Sequence, residues 1–219
     1  HLRQEGDVLH PAREPREGLM RLKAEMGSYA FAAQYQQSPA PRGGGIVKWV
    51  WFQTYDVPPE KGSGDLIVQS WDTATKAGTT NDYSVCTTWL IRGRDYYLLD
   101  VLRKRLEYPD LRRAILSHAA AHKATAVLIE DAGTGTPLIQ DLRREGQRRP
   151  IGIRPEHDKI VRLEAQSAVI EAGHVLLLER APWLDDFRAE ILAFPYGRYD
   201  DQVDSMSQLL AWAERHQMV

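Results

Sequence analysis

The sequence predicts an α/β fold in which a mixed sheet is flanked by helices, and three observations point there. Three apolar, β-branched or aromatic runs with short joints follow one another, "DLIVQSWD" (65–72), "SVCTTWLI" (84–91) and "DYYLLDVL" (95–102), a spacing that favours an antiparallel meander. Beyond them helical and strand-like patterns alternate. One of the later runs, "ATAVLIED" (124–131), is continuously apolar, as befits a strand covered on both faces.

Taken in order, residues 1 to about 45 stand apart. "EPREGLMRLKAEMGSYAFAAQYQQSP" has apolar residues at helical spacing (Leu19, Leu22, Met26, Tyr29, Ala33) and stops at Ser38-Pro39, before "APRGGGI". Three glycines after two prolines read as a flexible connector. The helix is thus either packed on its own domain or part of a linker from an upstream one. After the meander, "YPDLRRAILSHAAAHK" (108–123) is an amphipathic helix with Leu111, Ile115 and His118/Ala119 on one stripe. A helix over 136–146, a strand at "IGIRP" (151–155), a helix from Lys159 to Ala172 closed by Gly173, a strand at "HVLLL" (174–178) and helices near 182–193 and 201–216 complete the series.

Bulk composition sets wide bounds. A chain of 219 residues, 26% charged and 43% hydrophobic, suits one core of real size plus a short appendage. Twenty-eight basic against thirty acidic residues leave it nearly neutral, so local patches decide any affinity for nucleic acid. The single cysteine, Cys86, excludes an internal disulfide framework and suggests a reducing, cytoplasmic setting. No apolar stretch nears the ~18 residues of a membrane span. The chain opens without Met and reads as a fragment of a longer protein.

The chemistry-bearing residues are acids. Asp72 closes the first apolar run, Glu130 closes "AVLIE", and Asp200, Asp201 and Asp204 open the last helix in "YDDQVDSMSQLLAW". Carboxylates at strand ends sit where burial meets solvent. Several brought together would hold Mg²⁺ or Mn²⁺, which take oxygen ligands and leave positions for phosphate oxygens. Each acid also has a plain reading: Asp72 as a turn residue, Asp131 or Thr134 as a helix cap, and Asp200 and Asp201 as acids that suit a helix dipole. The glycines of "AGTGTP" permit close backbone approach, but their spacing is not that of a P-loop.

Basic residues cluster at Arg103-Lys104-Arg105, Arg112-Arg113, Arg143-Arg144 and Arg148-Arg149, mostly as solvated faces. Lys159 and Arg162 differ, being an i,i+3 pair at a helix start that shares one face. Near an active centre such cations would steady a phosphate, and otherwise they would pair with Glu156 or Glu164. The histidines show no zinc-like spacing, and His118 and His122 read as a surface pair at i,i+4. The six tryptophans read as core or domain-contact residues.

Three antiparallel strands, a helix, a parallel strand, another helix and another strand make the order of a ribonuclease-H-like domain. The first strand is then central with the fourth beside it, which would join Asp72 to Glu130. The pieces "FAAQYQQSPAPRGGGIVK", "SWDTATKAGTTNDYSV", "LIEDAGTGTPLIQDL", "DKIVRLEAQSAVIEAGHV" and "YDDQVDSMSQLLAW" resemble, in order, the C-terminal nuclease domain of the large terminase subunit of tailed bacteriophages. The resemblance implies a packaging-motor nuclease that cuts concatemeric double-stranded DNA with two Mg²⁺ or Mn²⁺ ions. It implies Asp72, Glu130 and Asp201 as catalytic, with Asp72, Glu130, Asp200 and Asp201 as metal ligands and Asp201 favoured over Asp200. Asp204 would stand behind the ligands, Asp82 is a weaker candidate, and Lys159 and Arg162 would lie near the active centre. Implied partners are DNA, a portal and a small terminase subunit in the host cytoplasm. No GxxxxGK[ST] occurs, so residues 1–45 would be the tail of a missing ATPase and its linker, and 46–219 the nuclease. A resolvase-type nuclease of the same fold and a non-catalytic portal-docking module remain alternatives, separated by substrate preference and by metal dependence.

Overall fold

The computed structural model describes residues 8, 10, 11, 13–35, 45–73, 83–146 and 150–217. Most of the connector (36–44), Asp82 and the Arg148-Arg149 pair lie outside these residues. Strands β1 (Gln53–Tyr55), β2 (Leu66–Asp72), β3 (Ser84–Arg92), β4 (Asp95–Lys104), β5 (Ala126–Glu130), β6 (Ile151–Ile153) and β7 (Val175–Leu178) form one sheet in the order β1-β7-β4-β3-β2-β5-β6. Helices α1 (Arg16–Tyr35), α2 (Tyr108–Ala121), α3 (Gly135–Arg144), α4 (Lys159–Glu171), α5 (Leu184–Ala193) and α6 (Asp201–Gln217), with a 3₁₀ turn at Trp49–Trp51, complete the described elements.

The expected meander is present. β2 and β4 each pair antiparallel with β3, and Gly93 adopts φ 57° in the tight turn between β3 and β4. β5 lies parallel to β2 on its other side, and β6 lies parallel to β5. Strand alternation sends successive β2 residues to opposite faces, so two cores form. Val68 joins Val85, Trp89, Leu98, Leu163, Phe187, Met206 and Leu210 on the side of α4, α5 and α6. Ile67 and Trp71 join Leu111, Ile115, Leu138 and Leu142 on the side of α2 and α3. Trp71 and Trp89 are fully buried, and Trp183 and Trp212 nearly so, as expected of core residues.

Besides the 3₁₀ turn, two further features were not predicted. β1, the three-residue run "QTY", pairs with β7 at the sheet edge and is too short to display an alternation. Helix α1 kinks at Gly27 (φ 80°), although its apolar spacing runs straight through. The reason is tertiary: a β-carbon at Gly27 would lie 3.0 Å from Ser167 Oγ and 3.2 Å from the Ala168 nitrogen, so α1 meets α4 there at backbone range. The Ser28 N–H donates to Glu171 Oε2 at 2.7 Å across the same contact.

Candidate active site

β2 and β5 run parallel with Trp71 opposite Ile129, so Asp72 and Glu130 emerge together at the C-terminal ends of the two strands. The chain then leaves β5 through a turn so tight that a side chain at Gly135 would collide with the Glu130 carbonyl oxygen. Asp131 secures that turn by accepting from Thr136 Oγ1 at 2.8 Å. Of the two residues considered as caps, Thr134 holds the N-cap position without a side-chain cap bond, and Asp131 bonds the Thr136 hydroxyl rather than a backbone N–H.

Helix α6 delivers the remaining acids. Its first turns are pinned to the sheet because Ser205 Oγ donates to the Ser70 carbonyl at 2.7 Å and Gln208 Nε2 to Ser70 Oγ at 2.9 Å. Ser205 Oγ also lies 2.7 Å from Thr87 Oγ1. Immediately before Ser205, Asp204 is 2% exposed and carries two cations. Lys159 Nζ lies 2.6 Å from both Asp204 Oδ2 and Asp200 Oδ1, and Arg162 spans Asp204 Oδ1 (2.8 Å) and Glu130 Oε2 (3.2 Å). Both cations project from the first turn of α4, where Asp158 caps by accepting the Val161 N–H at 3.0 Å.

Five carboxylates therefore gather beside two cations, and burial, with repulsion between like charges, raises the proton affinity of three of them. Burial raises the Asp72 carboxyl well above its ordinary range. The charges of Asp204, Glu130 and Asp201 raise it further, and Lys159 only partly opposes them. Burial, then Glu190 and Asp200, push Asp201 up to about 6. Asp204 also rises to about 6 by burial, against the lowering pull of Arg162 and Lys159. Burial lowers the Lys159 ammonium, but its bonds to Asp200 and Asp204 outweigh that and its pKa rises. The excess negative charge lies on hard oxygen donors, the set that a divalent cation such as Mg²⁺ or Mn²⁺ requires.

The sequence places Asp72, Glu130, Asp200, Asp201 and Asp204 in one locality, and the structure brings all five together. Lys159 and Arg162 face them, paired with Asp200, Asp204 and Glu130. The expected partner Glu156 instead bonds Arg215 at 3.1 Å. Asp204, expected behind the ligands, is the carboxylate that both cations share. Sequence reasoning missed Glu190, a buried acid of α5 that accepts the Gln202 N–H at 2.6 Å and so holds the start of α6. Its signal was a carboxylate at the i+3 position from Phe187 on the helix's apolar stripe. It also missed the role of Arg103, which lies 3.9 Å over the Tyr83 ring and 4.8 Å from that of Tyr199.

A central strand flanked by one antiparallel and one parallel neighbour, with acids closing the parallel pair, defines the ribonuclease-H-like class. The chain belongs to the terminase RNaseH-like domain family, whose model matches residues 69–212, well over half of its length. The large terminase of a thermophilic bacteriophage, solved in complex with ATP-γ-S, superposes with a TM-score of 0.67 at 12% identity, covering 93% of this chain and 58% of that one. The large terminase nuclease of thermophilic phage G20c with bound magnesium gives 0.61 at 14% identity, covering 78% of this chain and 98% of the other. The nuclease domain of the Thermus phage P74-26 large terminase gives 0.54 at 13% identity, with 73% and 90% covered. At these identities the likeness is one of fold. This chain thus spans little more than half the length of the ATP-γ-S-bound large terminase. No curated protein sequence matches it significantly.

Proposed function

We propose that this chain is the divalent-metal-dependent endonuclease domain of a phage DNA-packaging terminase and cuts concatemeric double-stranded DNA. The observation that supports this reading most is the gathering of five carboxylates, from the ends of β2 and β5 and the start of α6, beside only two cations, with burial the main cause that raises the proton affinity of Asp72, Asp201 and Asp204. Asp72, Glu130 and Asp201 would hold two Mg²⁺ or Mn²⁺ ions, with Asp200 as a further ligand. The ions would supply Lewis acidity toward the attacking water and the leaving oxygen.

The chain's own residues do the remaining work. β2 and β5 hold Asp72 and Glu130 on rigid backbone, and Glu190 with the Ser205 contacts holds α6 so that Asp201 meets them. Asp204 anchors Lys159 and Arg162 at the edge of the site. There they neutralise the carboxylates and offer N–H donors to the phosphates of bound DNA, in contacts indifferent to base sequence. Arg103 packs on the Tyr83 and Tyr199 rings and pairs with Glu190 at 3.7 Å, which places a further cation near Asp201. Residues 1–45 would be the end of an upstream ATPase and its linker. In the assembled motor the portal and a small subunit would be partners, and the work would be done in the host cytoplasm. Among the described residues no helix is long and apolar enough to cross a membrane.

Plasmid cleavage tests the reading. Wild-type protein should nick and linearise plasmid in Mn²⁺ or Mg²⁺ and be silent in chelator, while Asp72→Asn should fold and stay silent in all three. Cleavage that persists in chelator, or in the variant, would reject it.

A further inference from the structure

A second group of ligating side chains lies on the opposite face of the sheet. Asp100 of β4 lies opposite Thr88 of β3, which lies opposite Gln69 of β2, so this row is three residues from Asp72, about 10 Å along the strand. Gln69 Nε2 reaches Thr88 Oγ1, and Thr88 Oγ1 reaches His118 Nε2, each at 3.3 Å. Asp100 therefore faces α2, whereas Asp72 faces α4 and α6.

Here His118 and His122 are not the surface pair that their i,i+4 spacing suggested. Their rings lie 4.6 Å apart between centroids, and both turn toward one oxygen: Asp100 Oδ2 is 3.6 Å from His118 Nε2 and 3.2 Å from His122 Nε2. One ligand atom from each of the three residues lies within 4.8 Å of the other two. Two donors bound at about 2.0–2.1 Å to a tetrahedral ion stand about 3.3–3.4 Å apart, so both measured edges already match such a shell.

We propose that Asp100, His118 and His122 form a second metal site, separate from the acidic centre, that takes a borderline transition ion, Zn²⁺ foremost. Two imidazoles with one carboxylate suit Zn²⁺, where an all-carboxylate set suits Mg²⁺ or Mn²⁺. The supports of such a site are in place. Asp100 Oδ1 accepts the Val101 N–H at 2.9 Å, which leaves Oδ2 turned to the imidazoles. The Trp71 ring meets His118 edge-on, and the Thr88 hydroxyl, 3.3 Å from the same His118 Nε2, would give up that contact to the ion. Asp100 and His122 keep 35% and 27% of their side-chain surface, which gives an ion its entry. A bound ion would clamp the end of α2 to the middle of β4.

Zinc affinity measured by competition with a chromophoric chelator tests this on metal-free wild type, His122→Gln, Asp100→Asn and Asp72→Asn. Wild type and Asp72→Asn should bind one Zn²⁺ with the same affinity at this site. His122→Gln and Asp100→Asn should each lose more than about a hundredfold, since loss of a supporting contact alone costs roughly 10–100-fold. Equal affinity and stoichiometry in wild type and both ligand variants, or loss of this site in Asp72→Asn, would overturn the proposal. Zinc-edge anomalous diffraction from wild-type crystals gives a reading independent of variant folding: a peak between the three side chains supports the site, and zinc bound only at the acidic centre refutes it.

Discussion

Strand β2 has an aspartate at each end, and the two live in opposite electrostatic surroundings. Asp65, just before the strand, accepts from Arg92 Nη2 at 2.7 Å and Nε at 3.1 Å and from the Gly62 N–H at 2.7 Å. The Arg92 bonds, then the Gly62 N–H, hold its carboxyl below the usual range. Asp72, seven residues on, is raised well above that range by burial and by Asp204, Glu130 and Asp201. Asp65 has been given its counter-charge by the fold, so its charge serves the fold. Asp72 sits where the fold concentrates negative charge beyond what Lys159 and Arg162 balance, which is why the proposed function gives it a cation from outside.

Substituting the two ends separates these roles. Asp72→Asn should lower metal-dependent cleavage by roughly 10³-fold or more, the scale of removing a central catalytic group, while the metal-free melting temperature holds or rises. Asp65→Asn should do the reverse, leaving cleavage intact and lowering the melting temperature. Thermal melts and plasmid assays on both proteins decide it, and equal behaviour of the two variants would break the comparison.

A second expected effect concerns position rather than charge. Gly135→Ala forces a methyl against the Glu130 carbonyl oxygen. Overpacking of this kind costs about 1–3 kcal/mol, and displacing Glu130 by about 1 Å should cost up to ~10²-fold in cleavage. Single-turnover rates at a temperature where the variant stays folded would show it.

The third is a pH dependence. The Asp201 carboxyl rises from an ordinary 3.8 to about 6 in the folded protein. The folded state thus binds this proton more tightly than the unfolded chain, and this group's contribution falls as pH climbs from about 4 through 6. Asp201→Asn removes the penalty. Without metal, its melting temperature relative to wild type should be near zero difference at about pH 4 and positive above about pH 6. With Mn²⁺ at about pH 7.5 the order should invert, because only wild type gains full ion binding. The smallest effect is on DNA: Arg162→Gln should reduce the salt slope of DNA binding by about 0.9 if the guanidinium meets one phosphate.

Which parts of this were readable beforehand follows from the range of the forces involved. Asp72 and Glu130 stood out because each closes an apolar run, a signal contained within a few residues. Asp201 and Asp204 stood out because they open a helix with a clear apolar stripe. The ion pairs did not. Glu156 and Glu164 lie within a few residues of Lys159 and Arg162, whereas the partners found are Asp200, Asp204 and Glu130, 41, 42 and 32 residues distant in the pairings concerned. Only the packing of α4 against α6 and the sheet selects them. The same holds for His118 and His122, whose spacing was visible while Asp100, on a different element, was not. Strand β1 escaped for want of length, and the kink at Gly27 because its cause lies on α4.

Manganese-edge anomalous diffraction from crystals soaked in Mn²⁺ at mildly alkaline pH tests the central claim most directly. Ion peaks ligated by Asp72, Glu130 and Asp201 are expected, with Lys159 and Arg162 still within reach of Asp204. Manganese bound elsewhere on the chain, with those three carboxylates unligated at saturating ion, would contradict it.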